Sequence, residues 1–478
     1  MGSRLEVRPE TIPGAIADWV DGFSLDTVPT TIVEEARKAM INTAGTGLGG
    51  FHIEETQQAV SLAKAEEAGG PATIAVDGAK VSAQTAAFVN GLMFSALGQE
   101  DTHPESGSHP SETLLSALLA AAEVGEISGV RALEAQIIGL EVTAHVGSGS
   151  FLPEIKWERG VSASVFGAVG AAAALGKCFG LDRRRLQDAM VLAANLASGL
   201  MEGLMVSGTP EFHWSVARTP VNGYLAARLA QHGAYASPTS FCGKGGFYQV
   251  FLGVEPEAMD EPEIAAGLTR GLGSDWKLGE IIYKPWAVHF PILPYIDAAR
   301  ILRERHDLDP ATVTEIAIEV DPGAASLGSM KLGPYENREE ILGVAPFVVA
   351  GMLARPPRPA RSRERRRARH HGPGGENDGA RGGRRGGPGG DGDRGWPAVR
   401  LRPSRGRPRV RPRPRRDRVD LPSGDGLRRG PDPGRAGGRA APSPRLARGG
   451  VLARGSRPLD GRPLEDRRTT PADPIPEE

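Results

Sequence analysis

A handful of titratable side chains stand where they could work on an acidic substrate. Asp101, Thr102 and His103 are followed by His109, which sits just before Pro110 and Ser111, the opening of an apolar run with helical period. Unpaired N–H groups at such a helix start attract a carboxylate, and an imidazole beside them can exchange a proton with the adjoining carbon. A purely structural role, in which His109 and Ser111 cap the helix, fits the same spacing. Farther along, Lys284 precedes Pro285 and is therefore held extended, with His289 ahead of a proline-bounded turn. The ammonium can pair with a carboxylate or stabilise enolate charge, and a histidine serves as acid or base near neutral pH. A lysine before a proline also commonly does no more than face solvent. In PEFHWSVARTPVNG, His213 and Arg218 are candidates for an anion site, and a structural His213 stacked beside Trp214 is the alternative.

These groups need helices to hold them. The first clear one is predicted after Pro29, where Thr31 and Glu34 have capping-box spacing and Val33, Ala36, Met40 and Ala44 recur at helical intervals, ending in Gly45, Gly47, Gly49 and Gly50. Those glycines close a helix rather than follow a strand, which argues against a dinucleotide fingerprint. Further apolar helices are predicted over 83–98, 111–125, 130–146, 161–179, 184–200 and 220–232, with Thr219 and Pro220 as N-cap and first residue of the last. Near Glu257 the texture changes, and VTEIAIEV at 313–320 alternates as a half-buried strand does. The expectation is a mainly α protein: an all-helical domain over 11–256, then an α+β lid domain that begins at 257 and is incomplete by 355. Its last legible helix covers 345–354.

Composition narrows the function classes. Cys178 and Cys242 are the only cysteines, too few for a disulfide scaffold or an iron-sulfur cluster. No stretch has the length and apolarity of a signal peptide or a membrane span, so a cytoplasmic location is expected. Gly243-Lys244-Gly245-Gly246 lacks the Ser or Thr of a phosphate loop. Glu100, Asp101, His103 and His109 could gather around a metal, although the reading favoured here has none.

Four stretches together resemble the MmgE/PrpD family: FVNGLMFSALGQEDTH at 88–103, HPSETLLSALLAAAE at 109–123, GAVGAAAALGKCFGLD at 167–182 and KPWAVHFPILPYIDAA at 284–299. The resemblance implies a large helical domain with a smaller α+β lid, a homodimer, and a site without metal or organic cofactor that acts on a small polycarboxylate. It places His109, Lys284, His289 and Tyr335 on catalytic positions, and Asp101 and Thr102 on substrate-binding ones; His213 and Arg218, beside the departure at Phe212, are offered by their own chemistry as a rearranged anion site. Cofactor-independent lyase chemistry is implied, a dehydration of the 2-methylcitrate type or a decarboxylation of the cis-aconitate type, or else epimerisation of an iminosuccinate-like acid. Three departures accompany the match: Gly98 replaces an expected aspartate, Val161 a histidine and Phe212 a lysine.

The net charge of -1 hides two unlike segments. From Pro356 onward the chain has 32 arginines, no lysine and 15 acidic residues, rich in Gly and Pro, whereas every lysine lies before it. Such a segment cannot bury enough apolar surface to fold. It reads as a disordered tail or as an out-of-frame stretch of GC-rich coding DNA. A genuine basic tail would be an RNA-binding module working through phosphate contacts.

Overall fold

The computed structural model of the chain describes residues 11–67, 69–125, 127–148, 159–259, 267–320, 330–354 and 398–403. Among the described residues, nine helices of ten residues or more precede His232, and together they build one bundle. They are α1 (Ile12–Gly22), α2 (Thr30–Gly50), α3 (Glu54–Glu66), α4 (Ala83–Ser95), α5 (Pro110–Gly125), α6 (Gly129–Gly147), α7 (Ser164–Cys178), α8 (Arg183–Leu196) and α9 (Glu211–Gln231). Several starts are fixed by side chains that accept an otherwise unpaired N–H: Thr11 from Gly14, Ser82 from Thr85, Ser128 from Arg131 and Asp182 from Arg185. α7 is the axis of the bundle. Every residue from Val165 to Gly176 is buried, as its unbroken run of small and apolar residues requires of a helix surrounded by others.

Small residues let these helices touch backbone to backbone. A Cβ at Gly170 of α7 would lie 2.0 Å from the Thr143 hydroxyl and 2.5 Å from the Gly139 carbonyl oxygen of α6. The same logic corrects the expected end of α2, which runs through its glycines to Gly50. A Cβ at Gly50 would lie 2.0 Å from the Met93 carbonyl oxygen, so glycine here admits α4 and does not break the helix. The predicted capping box at Thr31 is also absent, because Pro29 occupies the cap without a side-chain bond. Pro220 lies inside α9 rather than at its start. Its ring fills the space beside Gly91, where a Cβ would come within 2.7 Å of it.

A second apolar cluster lies beyond the bundle. Val288, Ile292, Tyr295, Ile296, Ala299 and Leu302 pack with Ala345, Val349, Met352 and Leu353. Most of these belong to α10 (Leu293–His306) and α11 (Ala345–Ala354). The alternating segment Val313–Glu319 is a strand, as its pattern predicts. It pairs antiparallel with Ala398–Pro403, a strand within the arginine-rich segment where no regular structure is expected from composition. The short sequence AVRLRP alternates apolar and basic residues, which suits an edge strand. The rest of that segment lies outside the described residues, and with it the expectations of disorder, frame change and RNA binding. Among the described residues no helix is long and apolar enough to cross a membrane.

Because the α6–α7 contact leaves no room for a Cβ, Gly170→Ala is expected to destabilise the fold by about 1–3 kcal/mol. Gly45→Ala, where nothing lies within 4 Å, is expected to be neutral or stabilising by up to about 1 kcal/mol. Urea denaturation of both variants checks the pair, and equal midpoints would contradict the close approach.

Candidate active site

The site is organised by a ladder of two residue pairs. β1 (Asp101–Thr102) runs antiparallel to β2 (Ile282–Tyr283), with Asp101 opposite Tyr283 and Thr102 opposite Ile282. Continuing that register by one pair sets Glu100 against Lys284, and their side chains form an ion pair in which both are buried. The Gln99 amide donates to the Lys284 carbonyl oxygen at 3.1 Å and extends the seam. A proline after Lys284 therefore does not expose the lysine. It turns the chain away once the pair has formed.

His109 is held from the same residues. Its Nδ1 lies 2.8 Å from the Asp101 carbonyl oxygen and 3.0 Å from the Thr102 hydroxyl. A carbonyl oxygen can only accept, so Nδ1 carries the proton and Nε2 is the basic nitrogen. Nε2 lies 3.6 Å from Glu100. The Asp101 carboxylate meanwhile accepts from the Ser111 N–H at 3.3 Å and from its hydroxyl, capping α5. Asp101 and Thr102 thus stand behind the histidine as positioning groups, fully buried.

In front of His109 lies a cavity of about 160 Å³. His109, His213 and His289 all line it, as do Glu100 and Glu112. The remaining expected residues do not. Lys284 is paired with Glu100 behind the lining, Arg218 is exposed on α9, and Tyr335 donates its hydroxyl to the Lys331 carbonyl oxygen and packs edge-on against Phe347. His103 is turned the other way. It hydrogen-bonds Ser106 and lies 3.5 Å from Glu280, which shares the Lys277 ammonium with Glu105. His103, Glu105 and Glu280 are the one His/carboxylate group among the described residues compact enough for a metal. A lysine ammonium already supplies their cation.

Two acids were not anticipated as site residues. Glu339 meets His213 Nε2 at 2.9 Å and also pairs with Arg338. Glu112, on the first turn of α5, is buried and its Oε2 has no hydrogen-bond partner. A glutamate in a first helical turn reads as a complement to the helix dipole, which conceals its inward orientation.

Charge is unequally shared in this cluster. Burial alone would raise every carboxyl, but the Lys284 ammonium, and after it the His109 ring when it carries a second proton, hold Glu100 down at about 2. For Asp101 burial outweighs the pull of the Ser111 hydrogen bonds and lifts it to about 6. Glu112 is pushed well up by burial, then by the neighbouring Glu100 charge. His289 faces the cavity, and burial with the Lys284 charge lowers it to about 3. At neutral pH the wall therefore presents an ionised Glu100, a protonated Glu112 and a neutral His289.

Residues 14–259 match the MmgE/PrpD N-terminal domain. The chain is 30% identical over 301 residues to a cis-aconitate decarboxylase of Aspergillus terreus, covering 59% of each protein. It is 27% identical over 284 residues to a cis-aconitate decarboxylase-like protein of Aspergillus oryzae, covering 57% of this chain and 58% of the relative. Against the cis-aconitate decarboxylase of Homo sapiens it is 24% identical over 303 residues, 62% of this chain and 60% of the other. The match thus spans about 59% of the length of these curated relatives. With more than half of its residues in the family's domain, the chain belongs to the MmgE/PrpD family.

Proposed function

We propose that this chain carries the proton-abstraction site of a lyase acting on a small polycarboxylate. One observation carries the reading: His109 has its Nδ1 committed to the Asp101 carbonyl oxygen at 2.8 Å while the ring lines the cavity, so that Nε2 is the base. The similarity to cis-aconitate decarboxylases supports a lyase. A homodimer in the cytoplasm belongs to the same proposal, as does a lid domain beginning near residue 257 and incomplete by 355. Exposed Ile41 and Leu48, two turns apart on α2, would suit a subunit contact.

In the proposed reaction Nε2 of His109 takes a proton from the carbon next to a carboxylate. The C–H electron pair spreads onto that carboxylate as an enolate, and a neutral His289 N–H donates to the oxygen where charge builds. In dehydration the pair then forms the carbon–carbon double bond as the β C–O bond breaks, and the Glu112 proton leaves with the hydroxyl as water. In decarboxylation the pair comes from the C–C bond to the departing carbon dioxide, and Glu112 protonates the carbon. Neither course changes an oxidation state through an external carrier, so side chains suffice and no cofactor is called for. Reprotonation of the same carbon would instead give an epimerase.

Deuterium exchange into citrate-like, aconitate-like and iminosuccinate-like acids, followed by NMR, tests the reading. Exchange with loss of water or carbon dioxide is expected, exchange alone would point to the epimerase, and no exchange with any acid would overturn the proposal. His109→Gln is expected to lower turnover by about two orders of magnitude. Near-normal turnover would remove His109 from the role.

The neutral state of His289 has its own signature. An unfolded histidine takes a proton near 6.5, while the folded ring resists until about 3, so its contribution to stability is present above 6.5 and lost as pH falls toward 3. Asp101 works oppositely, holding its proton to about 6 instead of 3.8, so stability falls as pH rises through that window. His289→Gln is expected to abolish the first effect and leave the second. Chemical denaturation at pH 7 and pH 4 should therefore show a smaller acid loss in the variant than in the wild type, and an equal loss would contradict a neutral His289.

A further inference from the structure

The starts of α5, α7 and α9 all reach the cavity, through Glu112, through Ser164 with Gly167, and through His213. Each helix start carries about half a positive charge on N–H groups that lack a partner inside the helix. At α5 the Asp101 carboxylate meets that charge, and α9 has Glu211 in its first turn. α7 has neither. Its cap is Ala163, which makes no side-chain bond, and no acid stands in its first turn.

The residue before that cap has a hydrogen to give. Ser162 accepts from the Ser164 N–H at 3.3 Å and from the Ser164 hydroxyl at 2.9 Å. A serine oxygen has two lone pairs and one hydrogen. Both lone pairs of Ser162 are thus taken, and its own O–H has no acceptor among the described residues. Donors feeding one oxygen polarise the O–H that leaves it. Ser162 is buried, lines the cavity, and is fixed from behind by its N–H, which donates to the Gly199 carbonyl oxygen at 3.3 Å.

An independent sign of a ligand lies along the same helix. Thr143 of α6 lines the cavity, is fully buried, and its hydroxyl has no hydrogen-bond partner. It faces Gly170, where a Cβ would lie 2.0 Å from its Oγ1. Ser164, Gly167 and Gly170 recur at intervals of three, so they share one face of α7, bare at both glycines. Six residues of helix separate Ser164 from Gly170 by about 9 Å. That is too far for the two oxygens of one carboxylate and within reach of the two ends of a small dicarboxylate.

We propose that this face of α7 is a binding wall for the substrate, with one carboxylate at the helix start on the Ser162 hydroxyl and another acceptor of the same molecule on Thr143. The inference rests on the reading of the cavity as the site of a small polycarboxylate and adds residues that hold it. A carboxylate can only accept, so neutral hydroxyls and the positive end of a helix complement it.

The test uses the full chain with succinate, its neutral diamide succinamide, and butyrate as probes. In the unmodified protein succinate is expected to move the Ser164 and Val165 amide resonances, and succinamide to leave them in place. Ser162→Ala is expected to weaken succinate binding by at least about tenfold, the effect of a hydrogen bond to a charged group. Thr143→Val removes a buried hydroxyl that nothing in the protein satisfies, so it is expected to raise the melting temperature while weakening succinate severalfold and leaving butyrate unchanged. A merely structural Thr143 would not separate the two acids. Unmoved amides at Ser164 and Val165, or wild-type succinate affinity in both variants, would overturn the proposal. Deuterium exchange run on the same samples keeps the two readings apart. Binding at α7 without α-proton exchange in any acid would support the wall and refute proton abstraction, and exchange with unmoved α7 amides would do the reverse.

Discussion

Asp101 is held in three directions, and the site depends on all of them. Its backbone pairs with Tyr283, its carbonyl oxygen fixes His109 Nδ1, and its carboxylate caps α5 through Ser111. A ladder of only two residue pairs would be marginal alone. Here it is flanked by the Glu100–Lys284 ion pair on one side and the capped helix on the other, inside an apolar bundle. Breaking a buried pair of this kind leaves an uncompensated charge, which is costlier than never having had the pair. The orientation of the His109 ring is thereby tied to the integrity of the fold.

The same crowding assigns protonation states. Three carboxyls, Glu100, Asp101 and Glu112, share one buried region with a single lysine. The ammonium favours the ionised form of the nearest, Glu100, and the other two bear the cost of burial beside an existing negative charge. Groups that are chemically alike thus become an ion-pair partner, a helix cap and a protonated acid. Pushing neighbouring acids apart in this way is how a protein obtains both an acid and a base near neutral pH.

Much of the bundle was legible because its helices are apolar at helical intervals, whereas the caps read at Thr31 and Thr219 are not used and those at Ser82, Ser128 and Asp182 came from the structure. What misled was residue chemistry read locally. Glycine at the end of α2 and proline within α9 signal a boundary in isolation, but both are there to seat a neighbouring helix at close range. His109, His213 and His289 could be singled out from their settings, and they do converge on one cavity. The partners of that cavity could not. Glu339 reaches His213 across 126 residues of sequence, and the pairing of Glu100 with Lys284 spans 184. Neither separation leaves a local trace, and Glu112 had an ordinary explanation at its helix start.

The central claim is that His109 is a base at Nε2 because Asp101 takes the proton on Nδ1. Nitrogen-15 NMR of the histidine rings at neutral pH measures that directly. The account predicts that neutral His109 is the Nδ1-protonated tautomer, with an unprotonated Nε2, and that citrate-like or aconitate-like ligands shift Nε2 more than Nδ1. An Nε2-protonated tautomer at His109, with Nδ1 bare, would contradict the arrangement from which the proposed chemistry follows.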